Sequence, residues 1–536
     1  FEHALGRRIG WSFSGHQIQI APHAFVEGNA FYSKNDRALL FGYFPRSPAP
    51  AAAPAESGGE DETARDQPRF RGMVFTCLSH DVVAHETTHA LLDGLREHYT
   101  DPSSPDQAAF HEGFADIVAL LSIFSLADVV QTIIDRQETK AEPEGTPGSG
   151  PQAVSIAVDH LTRDSLRSSL LFALGPEIGK EVTGRNAALR ESIHLTPEAV
   201  KKDPEKYEES HNRGEILVAA VLNAFLLLWR ARIKTLGRLA EEQSSDAAPA
   251  PANDAAAAPA PKPAEATLLD RKRVVEDGAA IADQLLTMCI RALDYCPPTD
   301  LRFSDFLSAL LTADREIRPL DAPLPFRATL RQSFADYGIR PTSGSDGTEP
   351  GIWEPPDCEL DYSRVHLDPM RHDEDEMFRF LWENRGALGL DRDAYTRVLS
   401  VRPAVRVNPE DGFVLRETVV EYYQILNVVA SELRHLGIRK PKEPTEMSDD
   451  KQVTLYGGGA LIFDEFGRLK FHVRNRLLNP TRQTERLKYL WRGGRLEDLQ
   501  ILEREASPDF RFARMHEERF ATASIAEGKD DDDQYF

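Results

Sequence analysis

Cysteine is scarce in this chain, with four in 536 residues. That excludes the disulfide framework on which small secreted domains depend. Cys289 and Cys296 fall in one expected helix, about 10 Å apart along its axis, which is beyond the reach of a bridge. All four read as free thiols, with Cys77 and Cys289 expected in the core, and their scarcity leans toward a reducing compartment. Long apolar runs are also missing. None approaches the ~20 residues that span a bilayer, and the longest, around Ile216 to Trp229, reads as a buried helix. Basic charge is in deficit: 63 Lys and Arg against 86 Asp and Glu leave a net charge of −23. Nucleic acid and anionic membranes attract basic surfaces, so neither is expected as the main partner. The Gly457-Gly458-Gly459 run lacks the Lys-Ser/Thr of a phosphate loop, and nucleotide binding is not expected there. No signal peptide is visible. The sequence opens on Phe1 and not on Met, which leaves an upstream leader or propeptide open.

What the chain does have is His85-Glu86-Thr87-Thr88-His89, followed downstream by His111-Glu112-Gly113-Phe114-Ala115-Asp116. Residues four apart on a helix share one face, about 6 Å apart along the axis. His85 and His89 can therefore aim at one metal ion, while Glu86, one step round, can face a metal-bound water. This is the H-E-x-x-H arrangement of zinc peptidases. Catalytic zinc takes three protein ligands and keeps a position for water, so a third ligand is required, and Glu112 is the candidate. Asp116 shares its helical face and can orient one ligating imidazole. The bland alternative is a chance pattern. The helically spaced Val82, Val83, Ala90, Leu91 and Leu92 around it favour a real site.

Coarse patterning gives an α+β chain. Strands are expected at Gln17–Ile20, Asn29–Tyr32 and Leu39–Phe44, with a turn at Lys34-Asn35-Asp36. The metal-site helix is expected over about Thr76 to Glu97 and the next over Asp106 to Phe124. A long helix is expected from near Glu215 past Trp229, and others over Leu268–Tyr295, Ser304–Ala313 and Phe326–Tyr337. Three stretches, about 45–67, 142–150 and 244–266, have the Pro/Ala/Gly/Glu-rich composition of disordered insertions. Pro341 to Pro356 reads as a boundary between a first domain, 1–340, and a C-terminal one, 357–536. The latter is expected to hold a helix at Arg416–Leu436 and a hairpin joining Ala460–Phe463 to Leu469–Val473 through Asp464-Glu465-Phe466-Gly467. The acidic run Asp530–Asp533 reads as a solvated tail.

Over about residues 20 to 340 the sequence resembles the thermolysin-like zinc metallopeptidases. Asp81 to Ala90 resembles the family's active-site helix, and Glu112-Gly113-Phe114-Ala115-Asp116 its glutamate-ligand helix. Asn29-Ala30-Phe31-Tyr32 resembles the Asn-Ala-Phe-Trp edge strand that binds substrate backbone. Ala188-Leu189-Arg190 resembles the segment whose arginine grips a substrate carbonyl, and His211 to Leu217 the segment carrying a transition-state histidine. The resemblance implies a β-rich N-terminal lobe, a helical C-terminal lobe, one zinc ion and cleavage of protein or peptide. It further implies transition-state roles for His211 and Tyr99, substrate contacts for Asn29, Ala30 and Arg190, and a side-chain pocket lined by Val82 and Leu189.

The departures are specific. His111 stands where the family places an asparagine, and it would act behind the ligands. Lys206 stands where the partner of the transition-state histidine is an aspartate. Tyr99 has imperfect spacing for the family's tyrosine, and a Tyr at a helix end is most simply packing. Leu121-Ser122-Ile123-Phe124-Ser125 replaces the acidic cluster that holds structural calcium, leaving Asp81, so calcium is not expected there. Two rivals stand beside an endopeptidase: a binding protein on a peptidase fold with little or no activity, and a zinc hydrolase of another substrate. The region 357–536 carries no motif that suggests a family, and partner or substrate recognition is the expectation for it.

Overall fold

A computed structural model of the chain describes residues 1–15, 17–45, 72–101, 103–141, 155–157, 161–162, 166–167, 192, 194–203, 205–208, 210–245, 268–342, 349–493 and 496. Most of the three expected insertions, together with Leu189, Arg190 and the tail Asp530–Asp533, lies outside these residues. The described architecture is mixed helix and sheet, as the α+β expectation has it.

After a short helix α1 (Glu2–Leu5), four strands form the first sheet: β1 (Gln19–Phe25), β2 (Ala30–Ser33), β3 (Ala38–Pro45) and β4 (Met73–Phe75). β3 is central. It pairs in parallel with β1 and antiparallel with β2 and β4. The turn at 34–37 falls where expected, and Arg37 closes it with a positive φ of 54°. β2 ends the order β1-β3-β2, so among the described residues its outer edge carries no strand. Its inner residues Ala30 and Tyr32 join Leu39 and Phe41 of β3 in a small core. Val82 and Ala90 of α2 (His80–Leu95) complete it.

α2 packs on α3 (Pro105–Phe124), and α4 (Ala127–Ala141) follows. α3 starts where Ser104 accepts from the Gln107 amide with Pro105 in the first turn, a combination that satisfies an orphan donor and presets φ. Short elements come next: β5 (Ser155–Ala157), α5 (Pro197–Lys202), then the long α6 (Ser210–Ser245). Within α6 the stretch Asn212–Arg238 is long and apolar enough to cross a membrane, and most of it is buried inside the protein. It packs on α3, α7 (Arg271–Ala292) and α9 (Phe326–Asp336). α3 and α6 cross closely, since a Cβ at Gly113 would sit 3.0 Å from the Gly214 carbonyl oxygen. The expected helix from Leu268 is shorter than the spacing suggested. Leu268–Asp270 is a strand, β6, paired with β5, and Asp270 caps α7 by accepting from the Arg273 amide at 2.8 Å. α8 (Phe303–Ile317) and α9 fall close to their expected spans.

Beyond α10 (Glu374–Glu383) lies an antiparallel sheet of β7 (Tyr395–Val407), β8 (Val414–Val429), β9 (Gln452–Phe463) and β10 (Leu469–Asn475), in the order β10-β9-β8-β7. α11 (Pro480–Arg492) follows. The expected helix at Arg416–Leu436 is wrong, because Val414–Val429 is the central strand β8. Its middle is buried on both faces, which erases the alternation that marks a half-buried strand. The hairpin through Asp464–Gly467 is as expected, with Gly467 at φ 79°. The glycine run sits inside β9, where a Cβ at Gly458 would meet the Tyr422 carbonyl oxygen at 2.6 Å. Ala460, Ile462, Phe471 and Val473 of this sheet belong to the same buried cluster as Leu92 of α2 and Phe114 of α3. The hydrophobic core thus runs unbroken from the metal-site helices into the C-terminal sheet. All four cysteines are free. Cys289 and Cys296 are buried, while Cys77 is only half-buried, short of the core position expected for it.

Candidate metal centre

α2 carries His85, Glu86 and His89, and α3 carries His111, Glu112 and Asp116; all six are buried. Against each other, the two helices turn these faces inward. The His85 and His89 Nε2 atoms lie 2.8 Å apart. Glu112 Oε2 is 3.4 Å from the first and Glu112 Oε1 3.3 Å from the second. Tetrahedral zinc with ligand bonds of ~2.0–2.1 Å separates its donors by about 3.3 Å. The donor triangle is therefore close to the size such an ion requires. Among the described residues this is the group that could hold a metal ion.

The protonation states fit as well. Burial lowers His89 to about 4, with the neighbouring His85 adding to the effect and Glu112 opposing it. Burial also pushes His111 well below its ordinary value, and the imidazoles of His89 and His85 act in the same sense. Neutral imidazoles have the free lone pair a metal takes. Behind each of the two imidazoles stands an orienting group. His85 Nδ1 is 2.7 Å from Asp116 Oδ1, an imidazole–carboxylate bond that fits a tautomer with its proton on Nδ1 and its Nε2 lone pair turned toward Glu112 and His89. His89 Nδ1 is 2.8 Å from His111 Nδ1, with the rings stacked at 5.0 Å. That contact fits a His89 that carries its proton on Nδ1 and donates it to His111. The structure thus brings together the expected ligands, Glu86, Asp116 and His111.

The edge strand reaches the same place. The Tyr32 amide of β2 donates to Glu86 Oε2 at 3.1 Å. Asn29 is buried, with its Oδ1 accepting from the Ala30 amide at 2.8 Å and its carbonyl from the Gly42 amide at 2.9 Å. Ala30 is buried and paired with Phe41. The structure also shows a tether that the sequence did not suggest. The Tyr32 hydroxyl donates to Asp93 Oδ2 at 3.2 Å, and Ser12 Oγ donates to the same oxygen. Lys34 Nζ stands 3.7 Å from it. Burial raises the Asp93 carboxyl, with Lys34 and these two hydroxyls opposing the shift. Asp93 lies seven residues after Glu86, about two turns along the same face of α2. That spacing was the available signal for it.

Two expected site residues are packed in the core. Tyr99 is fully buried with its ring edge-on to Phe110, and its hydroxyl donates to the Pro297 carbonyl at 2.9 Å. It is a core residue, because a phenol in an apolar interior takes the nearest carbonyl acceptor. Val82 is packed between α2 and the first sheet with 2% of its surface exposed, so it fills core. His211 lies in the first turn of α6, three residues before the Gly214 backbone that touches α3 beside Glu112. Its side chain is outside the described residues, as are Leu189 and Arg190. Lys206 is exposed, with its ammonium over the Tyr207 ring at 5.7 Å.

Compared with protein-family models, with curated proteins and with solved structures, the chain matches none.

Proposed function

We propose that this chain is a zinc-dependent endopeptidase with a thermolysin-like arrangement of its catalytic lobes. One observation carries the proposal: the carboxylate of Glu86, in a buried cage of two imidazoles and Glu112, is bonded to the amide of a strand that lies at the edge of its sheet among the described residues. His85, His89 and Glu112 would hold the ion, which when bound supplies a Lewis acid for a water and a peptide carbonyl. Glu86 takes the proton from the attacking water and passes it to the leaving amine. β2 binds the substrate backbone as an added strand, with Asn29 and Ala30 at its start. By resemblance, His211 steadies the developing oxyanion and Arg190 the carbonyl on the leaving side. The test is Glu86→Gln. The variant is expected to bind zinc as the parent does and to lose cleavage of casein, and a variant that cleaves like the parent refutes the role of Glu86.

A second reading is a metal-binding protein on this frame with little or no catalysis. Tyr99 bonded to Pro297 favours it, because one transition-state donor is then missing. A peptide library offered to the zinc-loaded protein separates the two readings.

A further inference from the structure

We propose that the C-terminal sheet is a positioning element of the metal centre, acting through Glu421 on the end of the helix that carries His85 and His89. The inference rests on the reading of those residues as metal ligands. The last carbonyls of a helix have no partner within it. Here Leu95 closes α2, and its carbonyl accepts from Arg402 Nη1 of β7 at 3.2 Å and from Arg96 Nη1 at 3.4 Å. Arg96 caps the helix, with its amide donating to the Leu92 carbonyl at 2.7 Å and its guanidinium reaching the Leu293 carbonyl. Both guanidiniums converge on one carboxylate of β8. Glu421 is ion-paired with Arg96, and its Oε1 is 3.5 Å from Arg402 Nη1. Arg96 and Glu421 are 2% and 3% exposed. Cations at a helix C-terminus also oppose its dipole. Six residues separate His89 from Leu95, about 9 Å along the axis.

The geometry gives this brace leverage over the site. A metal cage tolerates displacements of only about 0.5 Å, and α2 supplies two of its three donors. A helix free to slide or turn at its C-terminal end moves both imidazoles relative to Glu112 of α3. The sheet is itself held in place. Arg406 of β7 is ion-paired with Asp294 and Glu417, Asp294 also pairs with Arg7, and the Tyr295 hydroxyl donates to Glu417 at 2.5 Å. Asn475 of β10 donates to the Thr299 carbonyl at 2.8 Å. The region expected to recognise partners is by this inference half of the frame that sets the metal ligands.

The test uses the full chain as parent, Glu421→Gln and Arg402→Ala, each stripped of metal and titrated with zinc against a fluorescent chelator, well below the melting temperature. Zinc dissociation constants at least tenfold above the parent's are expected for both variants, with parental circular dichroism. Arg402 is only half-buried, so Arg402→Ala decides the matter if Glu421→Gln does not fold. A folded variant that melts lower but binds zinc within threefold of the parent overturns the inference, since a purely structural contact moves stability alone. A parent that binds no zinc overturns the metal reading, and the brace with it.

Discussion

Replacing Asp116 by Asn tests the metal centre at a point where stability and affinity should move apart. Asp116 Oδ1 lies 2.7 Å from His85 Nδ1, and the two side chains are 2% and 1% exposed. Asn has nearly the same shape and can still accept that proton, but it removes the charge that makes the imidazole a stronger donor to metal. Losses of partners placed this way typically cost 10–100-fold in metal affinity, about 1.4–2.7 kcal/mol. The metal-free protein should behave differently. Asp116, Glu112 and Glu86 are three carboxyl groups in one buried cage, and removing one relieves repulsion, so the metal-free variant should be no less stable than its parent. Competitive zinc titration at pH 7.5, beside denaturant unfolding in chelator, reads both quantities. Affinity within threefold of the parent, or a loss of stability without a loss of affinity, would refute the assignment of His85 as a ligand oriented by Asp116.

Tyr32→Phe removes the hydroxyl that ties β2 to Asp93 while keeping the ring in its core. A loss of about 1 kcal/mol in unfolding and a several-fold rise in KM for extended peptides are expected, from melts and peptide kinetics. An unchanged KM would detach the edge strand from substrate binding. His472 is held neutral by burial, with Arg474 and Arg476 adding to the effect, and its value falls from 6.5 to about 3. Because the folded pKa is depressed, the unfolded chain takes up the proton first, and stability is lost as pH falls from about 6.5 toward 3. The shift corresponds to about 2 kcal/mol at pH 5. His472→Gln, whose amide can still bond to the Tyr422 hydroxyl, should unfold with a flatter dependence between pH 7.5 and 5. An identical slope would show that His472 titrates in the folded protein.

The grouping of the candidate metal ligands was legible because helix geometry needs only local spacing. His85 and His89 share a face of α2 wherever that helix packs, and Glu112 arrives beside them from α3. What sequence spacing misjudged was polarity without exposure. Glu417, Glu421 and Gln424 recur at helical intervals between apolar residues, which imitates an amphipathic helix at 416–436. In the fold they are buried in β8, each paired: Glu417 with Arg406, Glu421 with Arg96, and Gln424 with the Asp391 carbonyl. Those partners lie between about 11 and 325 positions away in the chain, so no local window contains the information that makes the charges tolerable. Tyr99 failed for a related reason. Its acceptor, the Pro297 carbonyl, is close only once α2 and the 293–297 segment have docked. The Tyr32–Glu86 bond likewise needs the first sheet to settle on α2, although both partners stood in recognisable motifs.

The cage itself argues for a metal over a structural cluster of side chains. A cluster built only for packing would offset its carboxyl groups with protonated histidines, yet burial holds His89 and His111 neutral. Glu86, Glu112 and Asp116 lie buried beside these two rings, and any negative charge they carry there costs stability unless a cation enters. A divalent ion brings two positive charges to that space and binds the folded chain, whose donors are assembled, far better than the unfolded one. Free zinc at 1,000 times the dissociation constant should therefore raise the unfolding free energy by about 4 kcal/mol. Denaturant unfolding with zinc and with excess chelator measures the difference directly. Coincident midpoints would mean that the cage holds no ion, and the neutral imidazoles would then need another explanation.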